Sequence, residues 1–233
     1  FSGLDANETG GFIGLYFGDN TSIVRDCFSS MDMTVESTAT DGLGGFIGTM
    51  LTITPVAPII KNCYSSGDIT SDTGGLEAVG GFSGAVNCPS TDLINCYYAG
   101  QISPSSGTYV SAFIGYLNLD VDLSFENCWC NSNVSQTQGK AASDWISSHI
   151  YGTNSVVKYD SVFYYSLQNP NQNNQPDVSP AYWGLFSNDS INEENDITDF
   201  YTSDHDVYDQ GGDDEWDFEN VWEEVPNGFP NFG

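Results

Sequence analysis

Positive charge is nearly missing from this chain. Of its 233 residues only Arg25, Lys61, Lys140 and Lys158 are basic, against 32 acidic residues, for a formal net charge of −28. Such a surface has nothing with which to displace counterions from a phosphate backbone, so nucleic acid is excluded as a partner, and anionic membrane surfaces with it. Long apolar runs are missing as well. No stretch approaches the roughly 20 residues that cross a bilayer, so no membrane insertion is expected and the body reads as soluble. Histidine is scarce: His149 and His205 have no histidine partner at ligand spacing, and Cys128-x-Cys130 is too tight for the Cys-x₂₋₄-Cys pair of a structural zinc site. No Ser-His-Asp or Cys-His constellation emerges, and no Gly run is followed by a Walker-type lysine, so no catalytic residue is assigned and no cofactor is implied. A helical stripe is absent too, at least before about residue 140.

What the chain does have is apolar residues at 39% and aromatics at 14%, enough to bury a core and too many for a disordered acidic tail. It also has a repeat of about 34 residues. Gly-Gly-Phe-Ile-Gly at 10–14 returns at 44–48, as Gly-Gly-Phe-Ser-Gly at 80–84, and as Ser-Ala-Phe-Ile-Gly at 111–115. A second element follows each copy at 14 to 17 residues from its Phe: Arg-Asp-Cys-Phe at 25–28, Lys-Asn-Cys-Tyr at 61–64, Ile-Asn-Cys-Tyr at 94–97 and Glu-Asn-Cys-Trp at 126–129. Six residues past each cysteine stands an apolar residue, Met33, Ile69, Ile102 or Val134.

Three phased elements separated by Gly, Ser, Thr and Asp predict an all-β fold: a right-handed parallel β-helix, or β-solenoid, of about four to five coils with three strands each. Equivalent residues would stack along the axis at about 4.8 Å. Strict alternation around the cysteine then sorts the faces. Asp26, Asn62, Asn95 and Asn127 share a side with Phe28, Tyr64, Tyr97 and Trp129, and are predicted to form an internal amide ladder beside an internal aromatic stack. Arg25, Lys61 and Glu126 share the opposite side with Cys27, Cys63, Cys96 and Cys128, which marks the cysteines as outward-facing.

These residues resemble the GLUG-motif repeats of surface proteins, adhesins and some secreted peptidases, in which a Gly-Gly-Leu-Val-Gly element precedes an Asn-Cys-Tyr element. Here Phe-Ile or Phe-Ser stands for Leu-Val, and the fourth copy lacks both leading glycines. The resemblance spans about residues 10 to 135, and Glu215 to Trp222 with Gly228-Phe229-Pro230 looks like the segment that closes such arrays. It implies a right-handed β-helix on the cell exterior and carries over no catalytic residue.

The organisation expected is therefore β-solenoid repeats over 1–135, a degenerate coil with a short helix over 136–168, an Asn/Gln/Pro-rich loop over 169–186, and an irregular acidic, aromatic C-terminal cap over 187–233. From Asp189 to Glu224 there are fifteen acids and no Lys or Arg, interrupted by aromatics that should fold this stretch back onto the body. Sequons at Asn7, Asn20, Asn133 and Asn188, with six cysteines, point to a secreted glycoprotein. Cys27, Cys63, Cys96 and Cys128 stack one coil apart and are disulfide candidates, with Cys88 and Cys130 in addition; the connectivity stays open. Asp204, Asp206 and Glu215 take positions one, three and twelve of a calcium-loop pattern whose middle fails, which makes calcium the one metal to consider.

Three functions follow. The first is an extracellular structural protein, a surface adhesin or self-assembling filament subunit, whose partner is itself. Assembly would use the first coil as acceptor and the segment Pro226 to Gly233 as an added strand. The second is a carbohydrate-binding surface module facing cell-surface glycans, with Trp145 and Trp183 as its aromatics. The third is a polysaccharide-active enzyme, disfavoured by the shortage of Arg and Lys to neutralise uronates.

Overall fold

Each sequence repeat folds into short strands that hydrogen-bond to the same strands of the next repeat. The computed structural model describes the chain outside residues 1–7, 19–20, 36–41, 52–57, 72–75, 89, 105–106, 118–121, 132–139, 143, 152–155, 161, 186–190 and 209–214. Its strands are numbered in chain order. One sheet joins β1 (Glu8–Gly10), β5 (Gly42–Gly44), β9 (Leu76–Gly80) and β13 (Gly107–Ser111). A second joins β2 (Ile13–Phe17), β6 (Ile47–Leu51), β10 (Ser83–Asn87), β14 (Ile114–Leu117) and β17 (Lys140–Ala142). The third carries the cysteine element: β3 (Ile23–Ser29), β7 (Ile59–Ser65), β11 (Ser90–Tyr98), β16 (Cys128–Asn131) and β21 (Ile191–Glu194), with β15 (Asp122–Glu126) also on β11. The fourth joins β4 (Met33–Val35), β8 (Ile69–Ser71) and β12 (Ile102–Pro104). Pairing inside these four is parallel, and it matches motif to motif: Cys27 faces Cys63, Cys63 faces Cys96, and Phe28 faces Tyr64.

The β-helix of three-strand coils expected from the repeats is corrected by this topology. The described chain is all-β apart from two 3₁₀ turns, but its strands are divided among several separate parallel sheets, together with an antiparallel sheet of β18 (Val156–Tyr159), β19 (Val162–Ser166) and β20 (Trp183–Leu185) and a hairpin of β22 (Trp222–Val225) and β23 (Gly228–Phe232). A clear helix of uniform coils is not what forms. The expectation failed at two places. It took the residues leading into each Gly-Gly for turn, whereas they pair as strands of their own, and it took Asp160 to Tyr165 for a degenerate coil, whereas Asp160 sits at positive φ beside the antiparallel β18–β19 hairpin. The short helix expected over 141–150 is absent among the described residues, where β17 is followed by an isolated bridge and turns.

The core runs between the parallel sheets. Phe46, Phe82 and Phe113 are buried and stack face to face at 5.0 and 4.9 Å, with Leu43, Met50, Ile60, Val79, Val86 and Leu93 around them. The second glycine of each Gly-Gly is there because the next repeat's backbone leaves no room. A Cβ on Gly11 would lie 2.2 Å from the Gly45 carbonyl oxygen, one on Gly45 2.2 Å from that of Gly81, and one on Gly81 2.2 Å from that of Ala112. A carboxylate ladder also runs through the turns, where Asp32 Oδ1 accepts the Asp68 backbone N–H at 2.9 Å and Asp68 Oδ1 that of Gln101 at 2.8 Å.

Candidate assembly edge and the residues around it

The cysteine element is where sequence alternation breaks down. Asp26, Asn62, Asn95 and Asn127 all hold positive φ, at 53°, 53°, 51° and 49°. One left-handed residue in a strand rotates everything after it, so the residue following the Asn returns to the side that the apolar residue two before it already faces. Cys63, Cys96 and Cys128 therefore lie fully buried in the inner core beside Ile60 and Leu93, and the outward cysteine face predicted above is corrected. The amides themselves bond from repeat to repeat: Asn62 Nδ2 donates to Asp26 Oδ1 at 3.3 Å, Asn95 Nδ2 to Asn62 Oδ1 at 3.1 Å, and Asn127 Nδ2 to Asn95 Oδ1 at 3.1 Å.

The aromatics that follow are thrown to the opposite face, where a second apolar cluster forms under the C-terminal segment. Phe28, Tyr64 and Tyr97 stack at 5.1 and 4.8 Å with nearly parallel rings. The next place is taken by Phe200, 4.6 Å from Tyr97, while Trp129 turns its ring edge-on to His205. The acidic tail covers this row with Tyr208, Trp216, Trp222 and Phe229, and Tyr208 donates to the Phe200 carbonyl and meets the Tyr97 hydroxyl at 2.8 Å. Sequence reading missed Phe200 as a member of the stack; its isolation from any repeat leaves no periodic signal.

No disulfide is seen in the structure among the cysteines expected to pair, Cys27, Cys63, Cys88, Cys96, Cys128 and Cys130. In-register neighbours on parallel strands point their Cβ atoms the same way, about 4.8 Å apart, beyond the ~3.5–4.5 Å that a disulfide accepts. Proximity of Cα atoms alone was the wrong criterion. Burial pushes the Cys63, Cys96 and Cys128 thiols well above their ordinary range, and that of Cys130 up to about 12. Cys27 is only partly buried, and a hydrogen bond from the Cys63 thiol lowers its pKa.

The calcium candidates do not converge: among the described residues no three His, Cys, Asp or Glu side chains gather around a common point. Two of them act through their backbone instead, the Asp206 carbonyl accepting Asn127 Nδ2 at 2.9 Å and the Glu215 carbonyl accepting Asn62 Nδ2 at 3.3 Å. The amide ladder thereby anchors the acidic tail. Between them lies an open polar cleft of about 780 Å³ whose walls include Arg25, Lys61, Asp204 and Glu215. The sequons at Asn7, Asn20, Asn133 and Asn188 fall outside the described residues. Trp183 is buried against Tyr151, with its indole N–H on the Asn174 carbonyl at 2.6 Å, and Trp145, partly buried, packs in the same cluster.

Strands β1, β2, β3 and β4 each pair with a single neighbour among the described residues, leaving one backbone edge of every parallel sheet without a strand beside it. The same repeat exposes large apolar side chains: Phe12 is 49% exposed, Leu15 47%, Phe17 57% and Ile23 56%, with Met31 close behind. Phe12 is the end of the inner ring stack, 5.0 Å from Phe46 and with no ring on its other face among the described residues. At the opposite end β12, β13, β17 and β21 likewise pair with a single neighbour among the described residues. Phe125 stands edge-on across Phe113, Phe200 covers Tyr97, and the terminal strand of the cysteine sheet, β21, shows Asn192 and Glu193 to solvent. The segment Pro226 to Gly233, expected as the added strand, is already engaged: it forms β23 of the hairpin, its Pro230 carbonyl accepts the Tyr64 hydroxyl at 2.6 Å, and Phe232 packs on Phe28.

Comparison of the chain with protein-family models, with curated proteins and with solved structures finds no match in any of the three.

Proposed function

We propose that this chain is a structural subunit of an extracellular or cell-surface assembly, an adhesin or scaffold part that associates with copies of itself. The observation that carries this reading is the in-register stacking of the repeats, in which like strands pair parallel and an amide ladder and ring stacks run from repeat to repeat. A stack of this kind grows by adding like strands at its edges, from a further repeat or from another copy. The resemblance of the repeats to GLUG-motif surface proteins supports the same reading, as does the high acidic charge, which keeps such a body dispersed except at its joining surface.

The burial of five of the six thiols suits an oxidising exterior, because a protonated, inaccessible thiol reacts slowly whatever the compartment. Sedimentation velocity over a concentration series tests the proposal: the chain should associate reversibly as concentration rises. A single monomeric species throughout would sink it.

A further inference from the structure

Two rows of side chains face each other along the stack. In the second sheet Leu15, Thr49, Ala85 and Tyr116 stand in register on β2, β6, β10 and β14. Each is followed by a core residue, Tyr16, Met50, Val86 or Leu117, so by alternation the row points away from the core. In the first sheet Glu8 pairs with Gly42, and Ala78 with Tyr109. The two sheets come together backbone to backbone at the last glycine of each motif: a Cβ on Gly48 would lie 2.6 Å from the Thr9 nitrogen, and one on Gly84 2.2 Å from the Leu43 nitrogen. One residue further on Thr49 reaches across, its Oγ1 2.3 Å from where a Cβ on Gly42 would be. The middle repeats thus place Gly, Ala and Thr where Leu15, Tyr109 and Tyr116 stand on the outer ones, and the volume they leave is a groove of about 390 Å³.

We propose that this groove binds a neutral oligosaccharide. Tyr109 and Tyr116 wall it on the fourth repeat, their rings 4.9 Å apart, tilted by 45° and partly exposed. A sugar ring presents C–H bonds on its faces and hydroxyls at its rim, so it needs an aromatic surface for the one and convergent polar groups for the other. Glu8 and Asn87, both partly exposed along the groove, supply the polar groups. Thr49 is the independent sign of a ligand. It lines the groove at only 5% exposure, and its hydroxyl has no hydrogen-bond partner within the chain, a deficit that a ligand hydroxyl would remove. Among the described residues no Lys or Arg lines the groove, whereas Glu8 does, so a uronate or sialylated chain is repelled and an uncharged sugar fits. From Thr49 on β6 to Tyr116 on β14 is two strand spacings, about 10 Å, which calls for a chain of sugars lying along the stack.

Isothermal titration calorimetry of the chain with cellohexaose, xylohexaose, mannohexaose, maltohexaose and hexagalacturonate tests this. At least one of the neutral sugars should bind, and hexagalacturonate should not. Thr49→Val keeps the side chain's shape, removes its hydroxyl and should weaken that binding about tenfold. Tyr109→Ala should weaken it by about as much, with the circular dichroism spectrum unchanged. Tyr182→Ala, at a side chain 39% exposed outside the groove, should bind as the parent does. Should Tyr109→Ala fail to fold, Thr49→Val decides alone. No binding of any neutral sugar at millimolar concentration overturns the proposal, and so does a preference for hexagalacturonate. Neutral-sugar binding that neither Thr49→Val nor Tyr109→Ala weakens lies elsewhere and overturns the groove as its site. None of these outcomes bears on self-association, which sedimentation reads separately.

Discussion

Asn95 shows how one residue type can meet two demands at once. Its backbone needs a left-handed conformation, which costs most residues about 1–2 kcal/mol, and its side chain must both donate to Asn62 and accept from Asn127 inside a buried row. Asparagine tolerates the first and has the groups for the second. Asn95→Gly keeps the backbone and removes the ladder, and should cost about 2 kcal/mol from unsatisfied neighbours. Asn95→Ala loses both, and should cost about 1 kcal/mol more. Urea unfolding of the two variants checks this, and equal losses would mean that the backbone plays no part. The ladder could be anticipated from the sequence because an amide recurs in phase with the cysteine. The positive φ was not anticipated, although the same Asn and Asp are its usual carriers, and this single omission put four cysteines on the wrong face.

At the scale of elements, the repeats stack because each sheet takes the same strand from successive repeats, and one of the tight contacts between them is at the second glycine of the Gly-Gly pair. Gly45→Ala would drive a Cβ into the Gly81 carbonyl oxygen and against Ser65 Oγ, 2.4 Å away. Overpacking of that kind should cost about 1–3 kcal/mol. The fourth copy explains itself by the same contact: it is Gly81 that is crowded by the Ala112 carbonyl, and Ala112 stands last in the row among the described residues, where its own Cβ is tolerated. Ala112→Gly should therefore change stability by no more than about 1 kcal/mol, the ordinary penalty of a freer backbone. Thermal melts of both variants decide the matter, and a larger loss at Ala112 than at Gly45 would refute the stacking explanation. Periodicity made these elements legible as strands in phase. It could not divide them among sheets, since the short β1-type strands have no alternation of their own, and it said nothing of β18 to β20, whose antiparallel pairing repeats nowhere else.

For the whole molecule, the acidic tail is a cover held down by aromatic burial and by two backbone bonds to the amide ladder. His205 sits beneath it between Trp129 and Phe200, its Nδ1 accepting the Val207 N–H at 3.0 Å and its Nε2 3.5 Å from Glu194. Burial lowers its pKa, against the opposing pull of Glu194, Asp206 and Asp199. The folded chain thus resists a proton that the unfolded chain accepts near the ordinary value of 6.5, so stability is level above that pH and falls as pH drops below it, until the lowered folded pKa is reached. His205→Gln should flatten this slope between pH 6.5 and 5.5 in urea midpoints; identical slopes in parent and variant would remove His205 from the account. That the tail packs back was readable from its interleaved aromatics, but its anchoring through the carbonyls of Asp206 and Glu215 was not, because backbone acceptors have no sequence signature.

The file of thiols running inward from the open repeat has a consequence of its own. Cys27, Cys63, Cys96 and Cys128 stand one per repeat, and only the first is partly accessible in the intact fold. If the body frays from its first repeat, an alkylating reagent meets the four in sequence order, and the tally of tagged sites in each molecule becomes a gauge of how far the opening had travelled when it was caught.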